Sequence, residues 1–461
     1  MSTVTTKQNK SDTVFTKQYS YYHGSESNAT TNMVGGISYK LSSDKVLGYS
    51  YNYNDTGNVE NVYENGKKVA VYTYDELNQL VWYADTRTGR YIRIVYDNYG
   101  NIQKMESYSL GTNWAPVKLL ETRTYSYGDT NWKDKLTEFD GDSITYDKNG
   151  NPLTYRDDMT FEWENGRILK DITTYDKAIQ MSYDSNGMRT QKSVDGVKTN
   201  YYYDSSNNLF ALTQGSDTLF FYYDNSGEVM SVSCNGTMYF YIKDLQGDIT
   251  EIVDKDGKAV AEYAYDAWGN MLTEYNGTLT LGKLNPFRYR SYVYDEETGL
   301  YYLQSRYYDP LTGRFLNADD AEFIGKTGTA LSGNIFAYCE NNPISNTDEN
   351  GHWLLRLFCG VAGAVVFGTV ANIFCRILGV SSTVRRWITA GFSLLGGILG
   401  AVFGPSLLAK FAPKALSWIK SVEKAMNKKF KPFSSSQCII GVVICNLSLI
   451  HISEPTRRRG I

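Results

Sequence analysis

The chain has 461 residues, a net charge of −4, 39 Tyr and 40 Gly but only 9 Pro. Tyrosine favours strands and recurrent glycine favours turns, which points to a mainly β protein. Three histidines, and six cysteines without a C-x-x-C pair, leave almost no material for a His-based metal centre or a Ser-His-Asp triad, so neither metal nor cofactor is expected.

Residues 1–40 read as an irregular start without an apolar signal segment, as in a piece of a longer protein. From 41 to 284 a beat of about twenty residues runs through the chain. "YNYNDTGNV" begins at Tyr51, "YTYDELNQL" at Tyr72, "YDNYGNI" at Tyr96, "YDSNGMR" at Tyr183 and "YAYDAWGNM" at Tyr263. Glu164, Asp184, Asp204, Asp224 and Asp244 step by 20. Y-x-Y puts both tyrosines on one side of a strand. D-x-x-G-N is a tight turn in which Asp bonds backbone N–H groups and Gly takes positive φ. Each beat is one hairpin, marginal alone, so the units must pair edge to edge into a twisted sheet that coils. The fold class is therefore mainly β: tandem hairpins in a spiral, cocoon-like sheet, followed by a short α-helical apolar C-terminal region. Whether about ten hairpins form a closed shell or an open half-shell stays undecided. Core and sheet-face packing is the reading for the tyrosines, against stacking on carbohydrate. "VDKDGKAV" at 253–260 lacks the further ligands of a calcium loop and reads as a turn.

Residues 285–320, "NPFRYRSYVYDEETGLYYLQSRYYDPLTGRFLNADD", closely resemble the core segment of RHS-repeat (YD-repeat) proteins, and "NIFAYCENNPISNTDENGH" at 334–352 resembles that family's closing phrase. The resemblance covers about residues 40–352. Its motif comprises Arg288, Arg290, Tyr294, Asp295, Gly299, Tyr301, Tyr302, Arg306, Tyr307, Tyr308, Asp309, Pro310, Gly313, Arg314 and Phe315. It implies a hollow β-cocoon plugged by the 285–352 segment, with a variable C-terminal polypeptide, commonly a toxin, behind it. In several members the core is an aspartyl autoprotease that cuts after D-P-x-G. By that resemblance Asp319 and Asp348 are the candidate pair, Arg314 a supporting cation, and Gly351 and His352 the cleavage region. Asp320 and Glu349 stand where many members have proline. The alternative for the two aspartates is turn and cap chemistry. Arg288, Arg290 and Arg306 are expected to stack between tyrosines and bond Asp295 or Asp309.

Residues 351–461 carry 14 Lys and Arg against 2 Asp and Glu, so a basic piece follows an acidic body. Residues 357–375 and 387–409 hold no charge and are long enough to span a bilayer; Gly396, Gly400 and Gly404 have the spacing of close helix contacts. Residues 413–432 read as a Lys-rich amphipathic helix. Thus 353–432 is either a membrane-active hairpin with a basic helix or an apolar segment packed within the shell. The tail 433–461 is undefined. Residues 447–461 resemble a translated sequencing adapter, and no function is placed on them.

The expected function is the shell and core of a secreted or cell-surface polymorphic toxin that carries a C-terminal effector in contact-dependent competition between bacteria. A cognate immunity protein and a target-cell membrane are the expected partners, and nucleic acid is not. The alternative is a carbohydrate-binding surface adhesin, which needs outward-facing rows of tyrosine. A third reading, an insecticidal toxin-complex subunit, needs a partner cage this chain does not contain.

Overall fold

The computed structural model describes residues 2–356 except 8–12, 24–29, 43, 225–226, 273–280, 321–323, 325–328, 349–350 and 352–354. The two apolar segments, the basic helix, His352, Glu349 and the tail therefore lie outside the described residues. No described helix is long and apolar enough to cross a membrane.

Nearly all regular structure is antiparallel strand, each pairing with its neighbour in sequence. A 12-stranded sheet runs from Ser2–Lys7 to Asp142–Ser143, and an 11-stranded sheet from Thr160–Glu164 to Ala259–Glu262. Hydrogen bonds from Leu153 N–H to the Thr145 carbonyl and from Phe161 N–H to the Leu153 carbonyl carry the meander between them. Residues 1–40, expected to be irregular, supply the strands Ser2–Lys7, Thr13–His23 and Thr30–Leu41, because "FTKQYSYY" alternates like the later units.

Each unit is built as its sequence dictates. In the turn at 97–101, Asp97 Oδ1 accepts the N–H groups of Tyr99 and Asn101 at 2.8 and 2.9 Å, and Asn101 Nδ2 donates back to Asp97 Oδ2 at 2.9 Å. Gly100 takes φ +75, as the turn requires. The same Asp–Asn clasp recurs at 147–151, 204–208 and 266–270.

A register shift falls immediately before the tyrosine of five Y-D pairs, at Thr73/Tyr74, Val95/Tyr96, Ser182/Tyr183, Tyr202/Tyr203 and Tyr222/Tyr223. A bulge re-aims the side chain beside it. Here it swings the tyrosine hydroxyl onto the first carbonyl after the preceding unit's turn: Tyr74 to Val59 at 2.6 Å, Tyr96 to Leu80 at 2.8 Å, Tyr203 to Arg189 at 3.1 Å and Tyr223 to Leu209 at 2.8 Å. In "FEWENG" the indole Nε1 of Trp163 makes the same bond to the Pro152 carbonyl at 2.6 Å.

The two sheets meet where strands two hundred residues apart pack together. Phe15, Ile37, Tyr39, Leu41 and Leu47 form one apolar cluster with Phe240, Ile242 and Val253. The Tyr39 hydroxyl donates to the Lys243 carbonyl at 2.8 Å, and Lys45 pairs with Glu251 at 2.8 Å. At 243 the repeat has lysine in place of the Y-D tyrosine. Lys243 is 4% exposed, and burial pulls its ammonium down to about 8, against the ordinary lysine value of about 10.4.

A depressed lysine pKa makes the unfolded chain bind more protons between the two values, so this residue's contribution to stability rises with pH from about 8 toward 10.5 and is lost as pH falls. Lys243→Met is predicted to stabilise the fold at pH 7 by about 2 kcal/mol and to lose most of that advantage by pH 9.5. Denaturant unfolding of both proteins across this range measures the difference, in which the shared tyrosine titrations cancel.

Candidate functional site

Residues 281–348 form a compact core segment laid against the turns of the repeats. Its four-stranded sheet comprises Val293–Asp295, Leu300–Leu303, Arg306–Asp309 and Arg314–Phe315. Tyr301, Tyr308 and Tyr338 are fully buried, and Tyr308 stacks on Tyr338 with ring centroids 3.9 Å apart. The tyrosines Tyr51, Tyr72, Tyr83, Tyr201 and Tyr241 are buried in this same cluster, so these repeat rows face the core segment rather than an outer surface. The exposed aromatics Tyr202, Phe210, Phe220 and Tyr222, on neighbouring strands, are an exception.

Turn after turn presents a group to this segment. Asn342 Nδ2 donates to Asn58 Oδ1 at 2.9 Å; Asn341 Nδ2 donates to Gln79 Oε1 at 2.9 Å and to the Gly100 carbonyl at 2.7 Å. Asn270 Nδ2 donates to the Pro310 carbonyl at 2.8 Å, and the Arg290 N–H to Asp248 Oδ1 at 2.8 Å. The Tyr301 and Tyr308 hydroxyls donate to the carbonyls of Gly269 and Trp268 at 2.8 and 2.6 Å. Gly313, at φ +69, lies so close that a Cβ would stand 3.0 Å from the Trp268 ring.

The buried acids of the motif pair across the seam, not with the core arginines as expected. Asp295 meets Arg189 at 2.5 Å and Lys192 at 2.9 Å. Burial alone would push its carboxyl up, but these two cations hold it below the usual carboxylate range. Asp309, 0% exposed, takes a bidentate fork from Arg156 at 2.9 Å on both oxygens, with the Tyr155 hydroxyl at 3.0 Å. Arg288 instead lies over the Tyr263 ring at 4.2 Å and donates to the carbonyls of Gly282 and Phe287; Arg290 donates to those of Gln246, Pro343 and Ile344. Sequence reasoning missed Arg156, Arg189 and Lys192. Arg189 did leave a signal, since the fifth position after the turn aspartate is apolar in Leu80, Ile102, Leu209 and Ile249.

Asp319 and Asp348 are brought together about one guanidinium, that of Arg306. Its Nη2 lies 3.0 Å from Asp319 Oδ2 and 3.3 Å from Asp348 Oδ2. Its Nη1 donates to the Ile335 carbonyl at 2.9 Å, and its Nε donates to the carbonyl of Gly351. The guanidinium stacks on Phe315 at 3.5 Å. Burial lowers the proton affinity of Arg306, and the two carboxylates work against that. Asp348 Oδ1 accepts the Gly351 N–H at 2.8 Å, closing a turn in which Gly351 takes φ +74. A Cβ at 351 would stand 2.8 Å from the Leu303 carbonyl oxygen. Arg314, expected as the supporting cation, instead donates to the Asp134 carbonyl at 2.5 Å and lies over the Tyr127 ring at 5.2 Å. Arg306, which the sequence reading made purely structural, holds the place assigned to Arg314. Among the described residues no cluster of His, Cys, Asp and Glu could hold a metal ion.

A model of the teneurin YD-shell family matches residues 117–344. The chain is an RHS/YD-repeat protein. It is 39% identical over 289 residues to the tRNA nuclease WapA of Bacillus subtilis, which covers 61% of this chain and 12% of that protein. It is 32% identical over 118 residues to the double-stranded DNA deaminase toxin A of Burkholderia cenocepacia, covering 26% of this chain and 7% of that one. Its fold is similar to that in the Tc holotoxin pore of Photorhabdus luminescens, with a TM-score of 0.58 and 19% identity over 73% of this chain and 18% of the other. The chain thus spans about an eighth of the length of the WapA relative.

The Asp309–Arg156 pair is the sharpest test of this seam. Removing one partner of a buried pair strands the other's charge. Asp309→Asn is predicted to lower unfolding stability by about 3 kcal/mol in denaturant titration, whereas Asp171→Asn, at the exposed Lys170 pair, leaves the midpoint in place.

Proposed function

We propose that this chain is the shell and self-cleaving core of a toxin-type RHS protein. The shell surrounds and delivers the polypeptide that begins after Gly351. The observation that supports the reading most is that one guanidinium, that of Arg306, holds the Gly351 carbonyl and both carboxylates, Asp319 and Asp348. This junction is where the acidic body gives way to the basic C-terminal piece. An acidic carrier suits a basic cargo. The similarity to WapA and to the deaminase toxin supports a toxin context. In this reading the protein is secreted or presented at the cell surface and acts between bacterial cells. A cognate immunity protein protects the producer, and a target-cell membrane meets the apolar segments.

The chemistry follows from the geometry. The reaction needs one of the two acids as a carboxylate and the other protonated. The ionised member takes a proton from water as its oxygen bonds to the Gly351 carbonyl carbon. Arg306 stabilises the charge growing on the carbonyl oxygen. The protonated member then gives its proton to the nitrogen of residue 352 as the C–N bond breaks. Water is consumed, and a carboxylate at Gly351 and an amine at His352 are left.

Intact mass of the purified chain under denaturing conditions decides this. The parent is predicted to yield two fragments divided between Gly351 and His352, while Asp319→Asn, Asp348→Asn and Arg306→Lys remain single chains. An uncut parent with native unfolding behaviour contradicts the reading.

A further inference from the structure

Asp319 is held from two sides. On the core side its N–H donates to the Ile335 carbonyl at 3.1 Å, and Arg306 faces its carboxylate. On the shell side Arg167 grips the chain before and after it. Arg167 follows the tight turn at Asn165 and Gly166, whose φ values of +48 and +90 send the next side chain off the end of the hairpin Thr160–Glu164/Ile168–Thr173. Its Nη2 donates to the Ala318 carbonyl, and its Nη1 lies 2.5 Å from Asp320 Oδ1.

We propose that Arg167 is a positioning residue for the self-cleavage reaction, a shell-borne clamp that fixes the Ala318–Asp320 backbone and so aims Asp319 at the Gly351 carbonyl. This rests on the self-cleavage reading above. The clamp couples chemistry to assembly, because its two halves lie about 150 residues apart and meet only when the repeat at 160–173 has folded against the core. Cleavage before the shell has formed is thereby disfavoured. The Arg167–Asp320 pair is half-exposed at Asp320, and such pairs add little to global stability. Its effect is on orientation. A displacement of about 1 Å at a reacting group can cost on the order of 100-fold in rate. The Arg167 charge also adds to burial in lowering the proton affinity of Arg306.

The fork of an arginine can hold a carbonyl and a carboxylate at once, whereas lysine offers a single point charge. The test uses the full chain. Cleavage rate is followed by intact mass after refolding, and hydrogen exchange at the Asp319 amide is followed in the Asp348→Asn background. Arg167→Ala is predicted to slow cleavage on the order of 10–100-fold, with the unfolding midpoint kept, and to speed exchange at Asp319. Arg167→Lys is predicted to recover part of the rate, and Asp320→Ala to lose less than Arg167→Ala, since the carbonyl contact stays. Parental cleavage in Arg167→Ala, or unchanged exchange at Asp319, overturns the proposal. So does a lysine variant no better than alanine. If the parent itself stays uncut while Arg167→Ala still loosens Asp319, the self-cleavage reading falls and Arg167 is a structural clamp only, which also contradicts its positioning role.

Discussion

The structure depends on one recurring hydrogen bond, from the hydroxyl of the Y-D tyrosine to the first carbonyl after the preceding unit's turn. A bulge ahead of the tyrosine aims it, and the Asp–Asn clasp fixes the turn it reaches. Together they set each hairpin's position on the last. A lone hairpin is marginal in water, so this inter-unit bond turns a string of marginal pieces into one sheet. The substitutions show what the position demands. Trp163 keeps the bond with an indole N–H, whereas Lys243 cannot, and there the segment is held by the Tyr39 hydroxyl from the first sheet.

A consequence is that the turns present amides and carbonyls in regular order, and the core segment binds to that order. Asn342, Asn341 and Pro310 meet the turns that end at Asn58, Gln79 and Asn270, and Asn334 joins Asn341 at the turn 97–101. Buried polar groups are costly unless paired, so each contact also penalises a core segment seated out of register. The ion pairs of Asp295 and Asp309 act in the same sense. Their net contribution to stability is small beside apolar packing of equal volume, but a shifted seat would strand several charges. The candidate reaction site inherits its accuracy from this docking. Arg306, Asp319 and Asp348 lie on three separate stretches of the core, and Arg306 joins both acids to the Gly351 carbonyl.

Much of this was legible in the sequence. The twenty-residue beat, the Asp and Gly of the turns and the same-side tyrosines follow from period two and turn chemistry. The candidate pairing of Asp319 with Asp348 came from the resemblance alone, since 28 intervening residues hide it from any local pattern; in the structure the two acids share the Arg306 guanidinium. Partner choice across the seam was not legible. Asp295 finds Arg189 and Asp309 finds Arg156 because of how the sheet coils, which no short motif encodes. The exchange of roles between Arg306 and Arg314 has the same origin. Both flank aromatic residues in sequence, and only the strand pairing decides which guanidinium turns toward Gly351. The strands at Thr13–His23 and Thr30–Leu41 were hidden because they lack the Y-D turn, although their alternation is regular.

The most direct test of this account compares two conservative substitutions by denaturant unfolding of the full chain. Tyr96→Phe deletes only the hydroxyl that bonds the Leu80 carbonyl, while Tyr99→Phe deletes one on a side chain that is 62% exposed. The account predicts a loss of about 1 kcal/mol for the first and none for the second. Equal stability of the two variants would contradict it, because the tyrosine hydroxyl would then not be what binds one unit to the next.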